Sequence, residues 1–131
     1  KDTPMDFTQF KAIGRDIEAD YEQLKLAGGY DHNWVLNHEA GVLGIAGKAK
    51  DPASGRVMEA YTDLPGMQFY TANFLKDERP GKGGAHYDRR HAFCFETQYY
   101  PDACHKTNFP SPILKAGDTY KTTTIYKFYA E

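Results

Sequence analysis

Turns set at short intervals constrain this chain more than any other feature of its sequence. From Asn33 onward, glycine and proline repeatedly interrupt short runs of apolar, aromatic and β-branched residues. "NWVLNH" is the first run; the glycine-laced "GVLGIAGKAK" follows and stops at "DPASGR", where Pro and Gly stand as turns require. "RVMEAYTD", "LPG" and "MQFYTANF" come next, then a Gly-rich loop over residues 80–86. A run over 91–99, a turn at "KAGD" and the alternating "YKTTTIYKFYA" complete the series. Such runs predict strands, and their succession predicts an all-β fold, a sandwich or part of one.

Helix has little room here. Residues 7–26 place Phe10, Ile13, Ile17, Tyr21 and Leu24 three or four apart, a loose helical spacing. Gly14 weakens it, so short helical turns are expected near the N-terminus, and the paired glycines of "AGGY" end the segment. The 131 residues are enough for one domain around one core. An aromatic share of 15% favours strands and suits walls that meet the C–H faces of a ligand. The net charge of −2 gives no basic field for nucleic acid or an anionic membrane, and no apolar run is long enough to cross a bilayer. Neither nucleic acid nor membrane is expected as a partner. The chain begins at Lys1 rather than Met, and a fragment or processed chain is expected.

One strand carries an unexpected acid. If "HAFCFETQY" is extended, Phe93, Phe95, Thr97 and Tyr99 share one face, and Ala92, Cys94, Glu96 and Gln98 share the other. A core face would not admit Glu96 without a partner, and a surface face would show more long charged residues. Small residues beside an acid and an amide leave room for something polar. Two other groups stand out: Asp31, followed by His32 and Asn33, and Gln68, which shares a face with Tyr70 and Ala72 in a regular strand. Acid, amide and acid on one concavity would hold sugar hydroxyls and supply a carboxylate for general base work. Each has a plainer alternative: Asp31 as a turn or capping residue, Gln68 on a solvent face, Glu96 paired with Lys or Arg of a neighbouring strand.

Other chemistries find less support. The five histidines, His32, His38, His86, His91 and His105, lie in no spacing typical of zinc, so no metal is expected. "GKGG" lacks the strand before it and the helix after it that a phosphate loop needs. Cys94 and Cys104 are too few for a disulfide framework; Cys94, mid-strand among small residues, is expected to be a buried thiol in a reducing compartment.

Taken together, "LAGGYDHNWVLN", "DPASGRVMEAYTDLPGMQFYTANFL", "FCFETQYYPDA" and "NFPSPILKAGDTYKTTTIYKF" resemble the aldose 1-epimerases, or galactose mutarotases, in order and spacing over nearly the whole chain. The resemblance implies that residues 1–131 are the C-terminal portion of one large antiparallel β-sandwich domain whose N-terminal portion is absent. It implies that Asp31 binds the sugar, Gln68 lines the pocket, and Glu96 is the catalytic base of a reaction interconverting α and β anomers of an aldohexose such as galactose or glucose. In the family the acid is a histidine, and a second histidine and an arginine help bind sugar, all from the N-terminal portion. No metal or organic cofactor is implied. The implied ligand is the sugar; because a cut sandwich leaves strand edges and apolar faces uncovered, the missing portion of the protein or another copy is expected as a partner, and a cytoplasmic location is expected. His105 stands where the family commonly has asparagine. Two related readings are a carbohydrate-binding sandwich without catalysis and a hexose-6-phosphate mutarotase; a sandwich in which Asp31 and Glu96 only satisfy neighbours is the third.

Overall fold

The computed structural model describes residues 1–131. Strands dominate, as expected: β1 (Asp31–Val35), β2 (Gly44–Lys50), β3 (Arg56–Thr62), β4 (Gly66–Tyr70), β5 (Cys94–Gln98) and β6 (Thr124–Ala130). The only α-helix is α1 (Glu22–Ala27), preceded by a 3-10 turn at Ile13–Arg15. They form two three-stranded sheets, ordered β1-β4-β5 and β2-β3-β6. The chain divides into two compact units, residues 1–32 with 69–94, and residues 33–68 with 95–131.

In the first unit, α1 buries Leu24 and stops at Gly28, whose left-handed φ of 65° lets Gly29 N–H reach back to the Leu24 carbonyl at 2.9 Å. Tyr30 follows and is fully buried. Its ring lies edge-on to Phe7 at 5.0 Å and stacks on Phe69 at 5.5 Å, and Phe69 meets Phe93 at 6.2 Å. Such pairs contribute roughly 0.5–1.5 kcal/mol each beyond the area they bury. Tyr30 O–H donates to the Pro4 carbonyl at 2.9 Å, and burial pushes the hydroxyl up to about 12. Asn73 closes this core: its Nδ2 donates to the Ala27 and Tyr30 carbonyls at 3.1 and 2.9 Å, and its Oδ1 accepts from Thr71 Oγ1 at 2.8 Å.

In the second unit, β3 pairs antiparallel with both β2 and β6, from Gly44↔Thr62 to Lys50↔Val57 and from Arg56↔Ala130 to Thr62↔Thr124. The turn predicted at "DPASGR" joins β2 to β3: Asp51 accepts Ser54 Oγ at 2.5 Å, and Gly55 takes φ 71°. The turn predicted at "KAGD" also forms, with Asp118 N–H on the Lys115 carbonyl at 3.0 Å. The register slips between Ile45 and Gly47, a bulge that turns Gly47 toward the other sheet. A Cβ there would lie 2.9 Å from Met67 Cε and 3.3 Å from Phe95 Cε2, so the glycine lets the two sheets approach closely within this unit.

Three expectations need correction. The run at 91–99 is extended only from Cys94 to Gln98, and Cys94 is exposed, not buried. β4 ends at Tyr70, because Ala72 takes a left-handed φ of 52°; Ala72 therefore does not continue the face of Gln68 and Tyr70.

Candidate active site

The side-chain amides of three neighbouring strands meet in the second unit. Gln98 Nε2, on β5, donates to Gln68 Oε1, on β4, at 3.2 Å and to Asn33 Oδ1, on β1, at 3.1 Å. The group exists because β4 lies between β1 and β5, so side chains of matching parity stand side by side across the sheet. Gly66 makes room for it. A Cβ at Gly66 would lie 2.5 Å from Asn33 Oδ1 and 2.9 Å from Tyr100 Cδ1, so only hydrogen fits between the amide and the ring.

Glu96 precedes Gln98 by two residues on β5 and therefore shares its face. Its side chain is exposed. The lysines of the other sheet pair elsewhere: Lys48 with Glu131 at 2.9 Å and Glu59 at 3.6 Å, Lys127 with Glu59 at 3.5 Å. The alternative that Glu96 serves a neighbouring-strand cation thus does not hold. Its flanking residues point the other way and are tied down. Thr97 Oγ1 lies 2.7 Å from Thr124 Oγ1, and the Phe95 carbonyl accepts Tyr126 O–H at 2.6 Å. Two hydrogen bonds, one on either side, fix the backbone from which the carboxylate projects.

Asp31 belongs to the first unit and opens β1, half-buried, two positions before Asn33. Its N–H donates to His32 Nδ1 at 3.1 Å, and burial pulls the His32 imidazole below its ordinary value. The structure thus brings Gln68 together with Gln98 and Asn33, and sets Glu96 beside Gln98 on one strand face. Asn33 and Gly66 are the participants that the sequence reading did not single out. Asn33 stands at i+2 from Asp31 in a strand, and that parity was the available signal. Gly66 gave none, since "LPG" reads as an ordinary turn. A separate cavity of about 300 Å³ in the first unit is lined by Ile13, Ile17, Thr71, Arg90 and Phe93 among others, and by none of the predicted site residues.

An exposed carboxylate on a fixed strand, next to a chain of amide donors and acceptors, suits a polyhydroxylated ligand that must also give up a proton. Comparison with known proteins gives the family. The aldose 1-epimerase family model matches residues 1–127. Galactose mutarotase of Bos taurus is 45% identical over 100 residues, covering 76% of this chain and 29% of that protein. Galactose mutarotase of Homo sapiens is 44% identical over the same shares. Aldose 1-epimerase of Escherichia coli (strain K12) is 30% identical over 131 residues, 98% of this chain and 37% of that protein. The chain spans 29–37% of the length of these relatives.

Proposed function

Since this chain belongs to the aldose 1-epimerase family, we propose that it carries the base-bearing part of a site that interconverts the α and β anomers of an aldohexose such as galactose or glucose. Glu96 is the base; Gln68 and Asp31 bind sugar hydroxyls. The observation that carries this reading is the β5 arrangement: an exposed carboxylate, anchored on both sides, two residues from the amide that links Gln68 and Asn33.

Glu96 removes the proton of the hydroxyl on the anomeric carbon while an acid protonates the ring oxygen. The ring C–O bond breaks and an open-chain aldehyde forms. Rotation about the bond to the carbonyl carbon turns its other face to the ring-closing hydroxyl. That hydroxyl attacks, the two proton transfers run in reverse, and both groups return to their starting states. The acid is a histidine supplied by the remainder of the protein, outside these 131 residues. Each positioned acid or base is worth roughly 10²–10⁴ in rate. A strand suits the base because small errors in aim are costly, and a hydrogen-bonded strand is stiffer than a loop.

The test is polarimetry of freshly dissolved α-D-glucose and α-D-galactose with the full-length protein that contains this chain. Acceleration over buffer is expected, together with its loss, by about 10²-fold or more, in Glu96→Gln. If the full-length protein leaves the spontaneous rate untouched, catalysis is refuted. Calorimetry with the same sugars then separates a binding module, which retains a heat of binding, from a purely structural sandwich, which gives none.

A further inference from the structure

We propose that Asp102, Cys104 and His105, on the turn that follows β5, form a surface site for one zinc-class divalent cation. Each offers one ligand atom, and all three atoms lie within 4.8 Å of one another. Cys104 Sγ stands 3.5 Å from His105 Nδ1. That is the separation a tetrahedral zinc imposes, because bonds of about 2.3 Å to sulfur and about 2.0 Å to nitrogen place the two atoms roughly 3.5 Å apart. Asp102 Oδ1 lies 2.5 Å from the same nitrogen as a hydrogen-bond partner. A modest rotation of that exposed carboxylate to roughly 3.3 Å completes one face of a tetrahedron. The other oxygen, Oδ2, faces Lys106 Nζ at 3.5 Å, so Oδ1 is the one available.

The turn carrying the three side chains is held at both ends. Ala103 N–H bonds to the Tyr100 carbonyl at 3.1 Å, His105 N–H to the Asp102 carbonyl at 3.0 Å, and Lys106 N–H to the Ala103 carbonyl at 3.2 Å. Ala103 is buried, and the Tyr100 ring packs edge-on against Phe109 at 5.2 Å. The ligands therefore project from an ordered frame, which lowers the entropy lost on binding.

The donor set selects the metal class. Thiolate, imidazole and carboxylate together suit zinc and its neighbours, whereas calcium and magnesium take oxygen donors. The imidazole binds through Nδ1 with its proton on Nε2, and the Cys104 sulfur binds as thiolate, so the cation takes the place of the thiol proton, which leaves on binding. Three protein ligands leave a fourth position for water. Histidine spacing alone concealed the site, because its other members are an aspartate and a cysteine within the same turn.

Cobalt(II) is the probe. It is titrated into the reduced, metal-free full-length protein, and the thiolate-to-cobalt charge-transfer absorbance is read, with zinc then added to displace it. A band that Cys104→Ser abolishes and Cys94→Ser leaves unchanged is expected. His105→Asn and Asp102→Asn should each weaken binding by at least the roughly 10- to 100-fold lost when a group merely supporting a ligand is removed. Circular dichroism of each variant checks that the fold is retained. The proposal is overturned if no such band appears, if the band follows Cys94, or if it survives His105→Asn and Asp102→Asn unweakened, the mark of a lone thiol.

Discussion

Glu59 and Glu96 are both strand glutamates, and their surroundings give them opposite properties. Glu59, on β3, is 8% exposed and accepts Tyr129 O–H at 2.6 Å and Tyr61 O–H at 2.7 Å, with Lys127 and Lys48 at 3.5 and 3.6 Å. The Tyr129 and Tyr61 hydroxyls hold its carboxyl down at about 2, against an ordinary value of 4.5. A depressed carboxyl adds stability that is complete above the unfolded value and is lost as pH falls through the folded one. Glu59→Gln should therefore be less stable than the parent at neutral pH, with the gap narrowing as pH falls from about 4.5 toward about 2. Urea unfolding across that range measures it; a gap that stays constant with pH would contradict the assignment. Glu96 has no such ties, which leaves its carboxylate available to a ligand. Gly66→Ala tests the amide group directly. Its Cβ would overlap Asn33 Oδ1 at 2.5 Å, and relieving such overpacking typically costs about 1–3 kcal/mol. We expect weaker sugar binding, seen as a higher KM in polarimetry, beside that loss of stability.

At the scale of elements, β5 is the one that turns local structure into a site. Its outward residues face solvent and the amides, while Phe95 and Thr97 are tied to Tyr126 and Thr124 at the head of β6. Tyr126→Phe removes one of these ties and should cost about 0.5–1.5 kcal/mol, toward the lower end because the side chain is partly exposed. Thr97→Val removes the other, at a similar cost. If anchoring aims Glu96, the double variant should lower kcat more than it raises KM, and thermal melts will show whether stability follows. Strand positions were legible from the turn signals, and each predicted run holds a strand. The limits of β4 and β5 were not. Ala72 leaves the extended region although nothing in "MQFYTANF" announces it, and the irregular stretch 91–93 reads as strand by composition alone. The exposure of Cys94 was hidden for the same reason. A small residue in a strand looks buried until the opposing layer is known.

For the whole molecule, β6 is the edge of its sheet and exposes Phe128 at 70%, with Ile125 and Tyr126 at 43% and 44%. An apolar strand edge pairs with whatever reaches it. The isolated 131-residue chain should therefore self-associate with rising concentration in sedimentation velocity, and Phe128→Lys should reduce that association. The same isolated chain should not accelerate mutarotation above buffer, because the acid is proposed to lie outside it; acceleration by the chain alone would remove that part of the mechanism. The sequence by itself determined the strand-rich class, the two tight turns and the family. These rest on local rules, since Gly and Pro set backbone angles, β-branched and aromatic residues favour strands, and four ordered blocks identify a lineage. Only the tertiary structure decided that Gln98 joins Gln68 to Asn33, that Gly66 gives this group its space, and that Glu96 is unpaired while Glu59 is saturated. Those outcomes depend on which strands become neighbours, and strand order follows from long-range packing that no short window of sequence encodes.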